Sequence, residues 1–284
     1  MVGAKRNIGL MIAKIAVIAA FTAVFIIPLW LVVMASITDA TTFNRNGYAF
    51  IARAYSLKAY INIFKDPAIL RGLFNSVWAT VSVTVLSIVV NTSTAYVLHE
   101  KNMPGHKFLN TLFVFTMFFN TGMIPIVLVI MKLGLHDTPG VLVIPAVINV
   151  YNILLIRNYF YSVPTSLKEA PLIDGANQLQ IFVRIMVPVS TPIIATTALM
   201  AFVTKWNSYM DVLYYVKYGH EELYTIQFVV QQMFETWSAV GSEASSKVVT
   251  QSATIVVTIL PLMLLFPLLQ KYFVDGMTIG AVKG

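Results

Sequence analysis

Cysteine is absent from this chain of 284 residues. That excludes disulfides, thiolate zinc sites and cysteine-held iron–sulfur clusters. Charge is scarce as well: Asp, Glu, Lys and Arg make up 11% of the residues, against about a quarter in an ordinary soluble domain. No Gly is followed by Lys anywhere, so a phosphate-binding loop of the G-x-x-x-x-G-K-[ST] type is missing and any ATP must be held by another polypeptide. The four histidines, His99, His106, His136 and His220, are scattered without ligand spacing, and no metal site is expected. Neither a Ser/His arrangement nor a pair of Asp falls inside an apolar run, so no catalytic residue is assigned and an intramembrane enzyme is disfavoured. The net charge of +7 is dispersed along the chain; it suits anionic lipid headgroups and indicates no nucleic-acid patch.

What the chain has in abundance is long apolar runs, with 58% of its residues hydrophobic. Charge-free windows at 15–38, 72–98, 108–131, 138–156, 185–204 and 248–270 are each long enough to cross about 30 Å of hydrocarbon as a helix. The expectation is an all-α polytopic membrane protein of six transmembrane helices. A shorter run, 223–234, reads as an external or interfacial helix. The spans contain Pro28, Pro125, Pro145, Pro188, Pro192, Pro261 and Pro267; neighbouring helices of a bundle can satisfy the carbonyls that these free, so a packed bundle with kinks is expected. The first window is too long for a signal peptide and reads as a retained helix. With the N-terminus inside, ten of the nineteen Lys and Arg fall on the inner side, and long outer loops weigh little in the positive-inside rule. Both termini are therefore placed in the cytoplasm, with external loops at about 39–71 and 205–247.

Between the fourth and fifth windows lies a polar, helix-forming segment. Ser166-Leu167-Lys168-Glu169 matches the S-x-x-E capping box. Asp174-Gly175 is a turn signal in which Gly supplies a positive φ, and Asn177 to Gln180 offers a second helix start. Ile181, Phe182, Ile185 and Met186 follow at helical spacing. The pattern predicts helix, turn, helix along the membrane surface. It also resembles the EAA loop of bacterial ABC-importer permeases: Glu-Ala-Ala, three residues, Gly, nine residues, Ile, one residue, Leu-Pro. Glu169, Ala170, Gly175, Ile185 and Pro188 match; Pro171 and Val187 depart. Pro171 is expected to kink or fray the first helix.

The resemblance extends further. The runs 118–125 and 133–138 look like the third-helix region of oligosaccharide permeases, and the ending 269–284 resembles the tail of the smaller maltose-importer-type permease. The combined pattern looks closest to permeases for uronic-acid oligosaccharides, with the smaller permease of bacterial alginate importers nearest. Membership would imply the type I ABC-importer fold, a single permease domain over 1–284, and residence in the bacterial inner membrane. It would also imply a second, larger permease, two ATPase subunits holding ATP and magnesium, an extracytoplasmic solute-binding protein and an oligosaccharide substrate. By the same resemblance a coupling loop at about 157–187 seats on the ATPase through Ser166, Glu169, Ala170, Asp174, Gly175, Ala176, Ile185 and Pro188. A cytoplasmic tail at 271–284 reaches between the ATPases, with Gly276 and Gly280 lending backbone flexibility.

Polar residues within membrane spans line cavities or pair between helices. Asn75, Ser76, Asn91, Thr92, Asn120, Asn149, Tyr151 and Asn152 are of this kind. Asn91, Asn120, Asn149 and Asn152, with Trp206, Asn207 and Tyr209 of the Trp-Asn segment, are the pathway candidates; the competing reading is an aromatic belt with interhelical hydrogen bonds. An ion-coupled secondary transporter would call for acidic residues near span centres, and none is found. A membrane scaffold would leave both the loop and the tail unexplained.

Overall fold

Hydropathy and helix propensity agree along most of this chain, and the computed structural model is accordingly helical. It describes residues 8–119, 121–238 and 244–281, among which there is no strand beyond a single bridge between Thr38 and Tyr55. Asn120 of the pathway candidates, and Lys5, Arg6 and Lys283 of the charges used for topology, lie outside the described residues.

Three helices are long and apolar enough to cross a membrane unbroken, within Met11–Ser36, Pro67–His99 and Lys247–Leu265. Three bent pairs pass the same test together: His106–Phe118 with Met123–Lys132, Pro139–Ala146 with Val150–Phe160, and Gln178–Val189 with Thr191–Trp206. Taking each pair as one span gives the six expected from the sequence. The expected kinks appear as sharp bends between the members of these pairs. Pro145 and Pro188 lie in the segments that precede a break, Pro139–Ala146 and Gln178–Val189, whereas Pro125 and Pro192 each sit in the first turn of the helix that restarts after it. A first-turn amide has no acceptor within its own helix, so the missing N–H of proline costs little there. Only Pro28, Pro261 and Pro267 lie inside continuous long helices.

The chain divides into two compact units, Met1–Leu70 with Gln232–Ile259, and Arg71–Gln231 with Leu260–Gly284. In the first, the Ile8–Ser36 helix buries none of its most apolar window; Phe21, Val24 and Phe25 are each about two-thirds exposed, as suits side chains solvated by hydrocarbon. The segment after it folds back on its end. Asp39 N–H donates to the Ala54 carbonyl (2.9 Å), Ser56 N–H to that of Ile37 (2.8 Å), Trp30 Nε1 to that of Phe50 (2.8 Å), and the hydroxyls of Ser36 and Tyr60 meet at 2.8 Å. Asp39 caps the Ala40–Asn46 helix, and the Thr41 hydroxyl bonded to its carboxylate holds that acid below its ordinary range.

In the second unit a core gathers Ala95 and Leu98 with Ile153, Ile156, Phe160, Ile181, Met186 and Ile193. It packs the end of the Pro67–His99 helix against the Val150–Phe160 helix and the 178–193 stretch. Threonines dispose of their hydroxyls locally: Thr84, Thr94 and Thr196 donate to carbonyls four residues earlier at 2.7–2.8 Å, a bond that needs no outside partner. Polar side chains also mend the broken spans. Ser87 donates to the Val147 carbonyl (2.7 Å), and Asn91 Oδ1 accepts from Asn149 N–H (3.3 Å), so the backbone freed at the 147–149 break finds partners on a neighbouring helix. Asn75 Nδ2 donates to the Glu222 and Tyr224 carbonyls, and Ser76 Oγ accepts from Ile226 N–H. These bonds anchor the stretch leading into the Ile226–Ser238 helix, close to the short helix expected at 223–234. Gly72 makes that approach possible, since a Cβ there would stand 3.2 Å from both Ile226 Cα and Ile226 N.

The last helix runs unbroken from Ala244 to Ala281. Gly276 and Gly280 thus lie in helical backbone.

Candidate functional site

The segment singled out in the sequence is two short helices joined by a tight turn. The first, Ser166–Ile173, contains Pro171 without interruption. Its N-cap is Thr165, with no side-chain capping bond, so the capping box expected from Ser166 and Glu169 does not form. Ser166 already has helical backbone, and the Thr165 carbonyl takes the amides of Lys168 (2.9 Å) and Glu169 (3.0 Å). The reciprocal box sits one helix later: Asn177 Oδ1 accepts from Gln180 N–H (2.9 Å), while Asn177 N–H donates to Gln180 Oε1 (3.0 Å). Between them Gly175 adopts φ +86°. Gly175 N–H bonds the Leu172 carbonyl (3.2 Å) and Ala176 N–H that of Pro171 (2.9 Å). This pair of crossing bonds defines a Schellman ending, whose left-handed residue is normally glycine.

The second helix, Gln178–Ile181, runs into a π-helical turn over Phe182–Met186 and then into Val187–Val189. Ile181 and Met186 are buried in the core, and Ala176 and Ile185 are half-buried; Ser166, Glu169, Ala170, Asp174, Gly175 and Pro188 are exposed. The tip is apolar and bare: Ile173 is 87% exposed and Leu179 69%. The short helix thus leaves a nearly fully exposed isoleucine beside a glutamate, an apolar surface that this chain does not cover.

Residues that sequence reading did not select stitch this segment to the rest of the unit. Lys168 Nζ meets Glu100 Oε2 at 2.5 Å and lies 5.6 Å from the centre of the Tyr96 ring. Tyr96 OH donates to Gln178 Oε1 (2.9 Å), and its ring packs on Phe182 at 4.8 Å. Both helices of the segment are thereby fastened to the end of the Pro67–His99 helix. The hydrogen bond from Lys168 holds the Glu100 carboxyl below its ordinary value, overcoming the opposing effect of burial. Beside this latch a cavity of about 750 Å³ is lined by His99, Glu100, Tyr161, Lys168, Glu169 and Gln178, among others. Nothing in the local sequence marks Glu100 and Lys168 as partners, because 68 residues separate them.

A second, smaller cavity of about 290 Å³ lies within the same unit. Its polar lining includes Ser87, Asn149, Tyr151, Asn152, Lys205 and Asp211. Of the pathway candidates, Asn149 and Asn152 reach it. Asn149 also caps the Val150–Phe160 helix through the Asn152 amide at 3.0 Å. Asn91 is buried and holds the Asn149 backbone from behind. Trp206 is buried and parallel to Phe202 at 6.1 Å, so its ring serves packing. Asn207 donates to the Val203 carbonyl (2.9 Å) at the end of the Thr191–Trp206 helix, and Tyr209 is the N-cap residue of Met210–Tyr215; neither lines the cavity. Lys205, a basic residue that the sequence reading places on the external side and finds suited to an acidic polysaccharide fragment, is 5% exposed and meets Asp211 Oδ2 at 2.5 Å. Among the described residues, no group of three or more His, Cys, Asp and Glu could hold a metal ion.

Broken apolar spans, polar groups lining a cavity, and an exposed two-helix segment are the features of a polytopic membrane protein. The chain belongs to the family of binding-protein-dependent transport system inner membrane components, whose profile matches residues 68–279. Among curated relatives it is 35% identical to the polygalacturonan/rhamnogalacturonan transport system permease protein YtcP of Bacillus subtilis, over 93% of this chain and 94% of that one. It is 29% identical to the arabinooligosaccharides transport system permease protein AraQ of Halalkalibacterium halodurans, over 93% of each. A solved structure of a bacterial ABC transporter involved in the import of the acidic polysaccharide alginate contains a chain that matches with a TM-score of 0.85. The identity there is 26%, covering 96% of this chain and 99% of the other.

Proposed function

We propose that this permease is one of two membrane subunits of an ATP-driven importer whose substrates are acidic oligosaccharides, oligouronides foremost. The reading is carried by the 166–184 segment. Its exposed Glu169 and Ile173 and its Schellman turn at Gly175 form a grip for a separate ATPase, and the Lys168–Glu100 latch passes the ATPase's motion to the helix ending at His99. ATP and magnesium belong to two such ATPase subunits, and this chain makes no bond and breaks none. A second, larger permease completes the pathway, and an extracytoplasmic solute-binding protein delivers the sugar to the face carrying the 39–71 and 205–247 loops. Both termini face the cytoplasm, where the helical tail through Gly276 and Gly280 reaches toward the ATPases. The choice of uronides is supported by the names of two relatives that align along nearly the whole chain, one for polygalacturonan and rhamnogalacturonan and one for alginate.

Alternating access driven in this way predicts that substrate, delivered by its binding protein, stimulates ATP hydrolysis in the reconstituted complex. Oligogalacturonate and oligoalginate are expected to stimulate; neutral maltooligosaccharides are not. Stimulation by the neutral sugars alone would keep the importer and reject the substrate class. No stimulation by any sugar would reject the function.

A further inference from the structure

Lys205 stands out physically because a buried charge is costly unless it is paired and put to use. Among the described residues it is the one charged residue that is buried, with a side chain 3% exposed, and its partner Asp211 is 24% exposed. The pair is not needed to shape the turn it spans. Backbone bonds already close it, from Ser208 N–H to the Lys205 carbonyl (3.1 Å) and from Leu213 N–H to that of Tyr209 (3.1 Å). Nor is it a strong source of stability, since desolvation offsets most of the attraction in a buried pair. Both residues line the 290 Å³ cavity together with Asn149, Tyr151, Asn152 and Ser208.

We propose that Lys205 binds the carboxylate of a uronate residue in transit, exchanging Asp211 for the sugar's own acid. This rests on the oligouronide reading above and extends it to a specific subsite within this chain. An ammonium has three N–H donors and a carboxylate is an acceptor only, so Lys205 can pass from one carboxylate to the other without losing its charge partner. The amides of Asn149 and Asn152 and the hydroxyl of Ser208 suit sugar hydroxyls, and the half-exposed Tyr151 ring offers a flat apolar face. The cavity falls just below the roughly 300–1,000 Å³ of pockets for drug-sized ligands, which suits a single sugar ring. Asp211 has a purpose in this scheme. A free buried lysine would hold an anion too tightly, whereas transport requires binding strong enough to admit the substrate and weak enough to release it. A resident carboxylate competing for the same ammonium sets that balance.

The test uses the full complex in proteoliposomes with saturating binding protein, and compares uptake of oligogalacturonate with that of its partially methyl-esterified form. Lys205→Met is expected to lower uptake of the acid about tenfold, the equivalent of ~1.4 kcal/mol, while uptake of the ester stays within a few-fold of wild type. Lys205→Arg should retain most of the acid uptake. Asp211→Asn keeps the lysine and should lower the concentration of oligogalacturonate needed for half-maximal ATPase stimulation. Equal losses for acid and ester would mark the pair as structural and overturn the proposal, as would undiminished acid uptake in Lys205→Met. Should Lys205→Met fail to assemble, an unchanged half-maximal concentration in Asp211→Asn overturns it independently. A wild-type complex that takes up oligogalacturonate while these variants behave as wild type rejects the Lys205 subsite alone. A wild-type complex that takes up no uronide rejects the proposed function, and the subsite with it.

Discussion

Replacing Gly175 by valine isolates the backbone geometry of the proposed grip from its contacts. Gly175 has φ +86°, and a Cβ built on it meets nothing within 4 Å. Any effect therefore comes from conformational strain and not from a steric clash. The left-handed region costs a residue with a Cβ about 1–2 kcal/mol, and is least accessible to β-branched side chains. An energy of that size is roughly a 5- to 30-fold drop in the population of the turn. Losing the turn undoes the Schellman bonds from Gly175 and Ala176 and swings Ile173 away from Asn177, where the second helix begins. The expected result for Gly175→Val is normal membrane insertion with substrate-stimulated ATPase activity reduced by a similar factor in proteoliposomes. Gly175→Asn should lose only a small part of the activity, because asparagine tolerates positive φ best among residues with a Cβ. Wild-type stimulation in Gly175→Val, or equal damage from valine and asparagine, would refute the reasoning.

The latch offers a second test: Lys168→Glu should weaken coupling, and the swap Lys168→Glu with Glu100→Lys should recover part of it, within the roughly 0.2–1 kcal/mol typical of a partly exposed pair. Because the folded Glu100 carboxyl titrates below its ordinary 4.5, the pair's contribution is full above that value and is lost as pH falls through the lower, folded value. Thermal unfolding of the purified permease should therefore show an acid-side loss that Glu100→Gln reduces, and an unaltered pH profile in that variant would exclude the contribution. Gly72→Val places a side chain 3.2 Å from the Ile226 backbone; overpacking of this kind costs about 1–3 kcal/mol, and hydrogen exchange should report faster opening of the 226–238 helix. Asn177→Ala should destabilise the second short helix by about 1 kcal/mol and lower coupling, whereas Ser166→Ala should be close to neutral; the reverse order would restore the capping box first expected at Ser166.

Which features could be read along the chain, and which could not, follows the range of the forces involved. Six apolar windows, a glycine turn between two short helices and a helix start at Asn177 are local properties, set by hydropathy, by positive φ and by a side chain reaching three residues ahead. Proline was legible as a disruption but not as its form. Pro125 and Pro192 open the helix after a break, Pro145 and Pro188 precede one, and at the 147–149 break Ser87 and Asn91 on another helix take up the freed backbone groups. The capping box was misplaced because Ser166–Glu169 and Asn177–Gln180 are equally good local patterns; where the backbone enters the helix decides between them.

The pathway residues divide on the same principle. Composition marks asparagine and tryptophan inside spans as unusual, but it does not say whether an amide faces a cavity, caps a helix or mends a broken span. Asn149 does two of these at once, Asn91 does the third, and Trp206 is buried against Phe202. By itself, the sequence determined a helical membrane protein with two short helices and a glycine turn between its fourth and fifth spans, because hydrophobic length, turn chemistry and helix starts act over a few residues. Only the tertiary structure decided that Lys168 closes on Glu100 and that Lys205 and Asp211 meet at a polar cavity lined by Asn149 and Asn152. Charge pairing across helices depends on the distance between side chains after packing, and residues far apart in sequence carry no local trace of it.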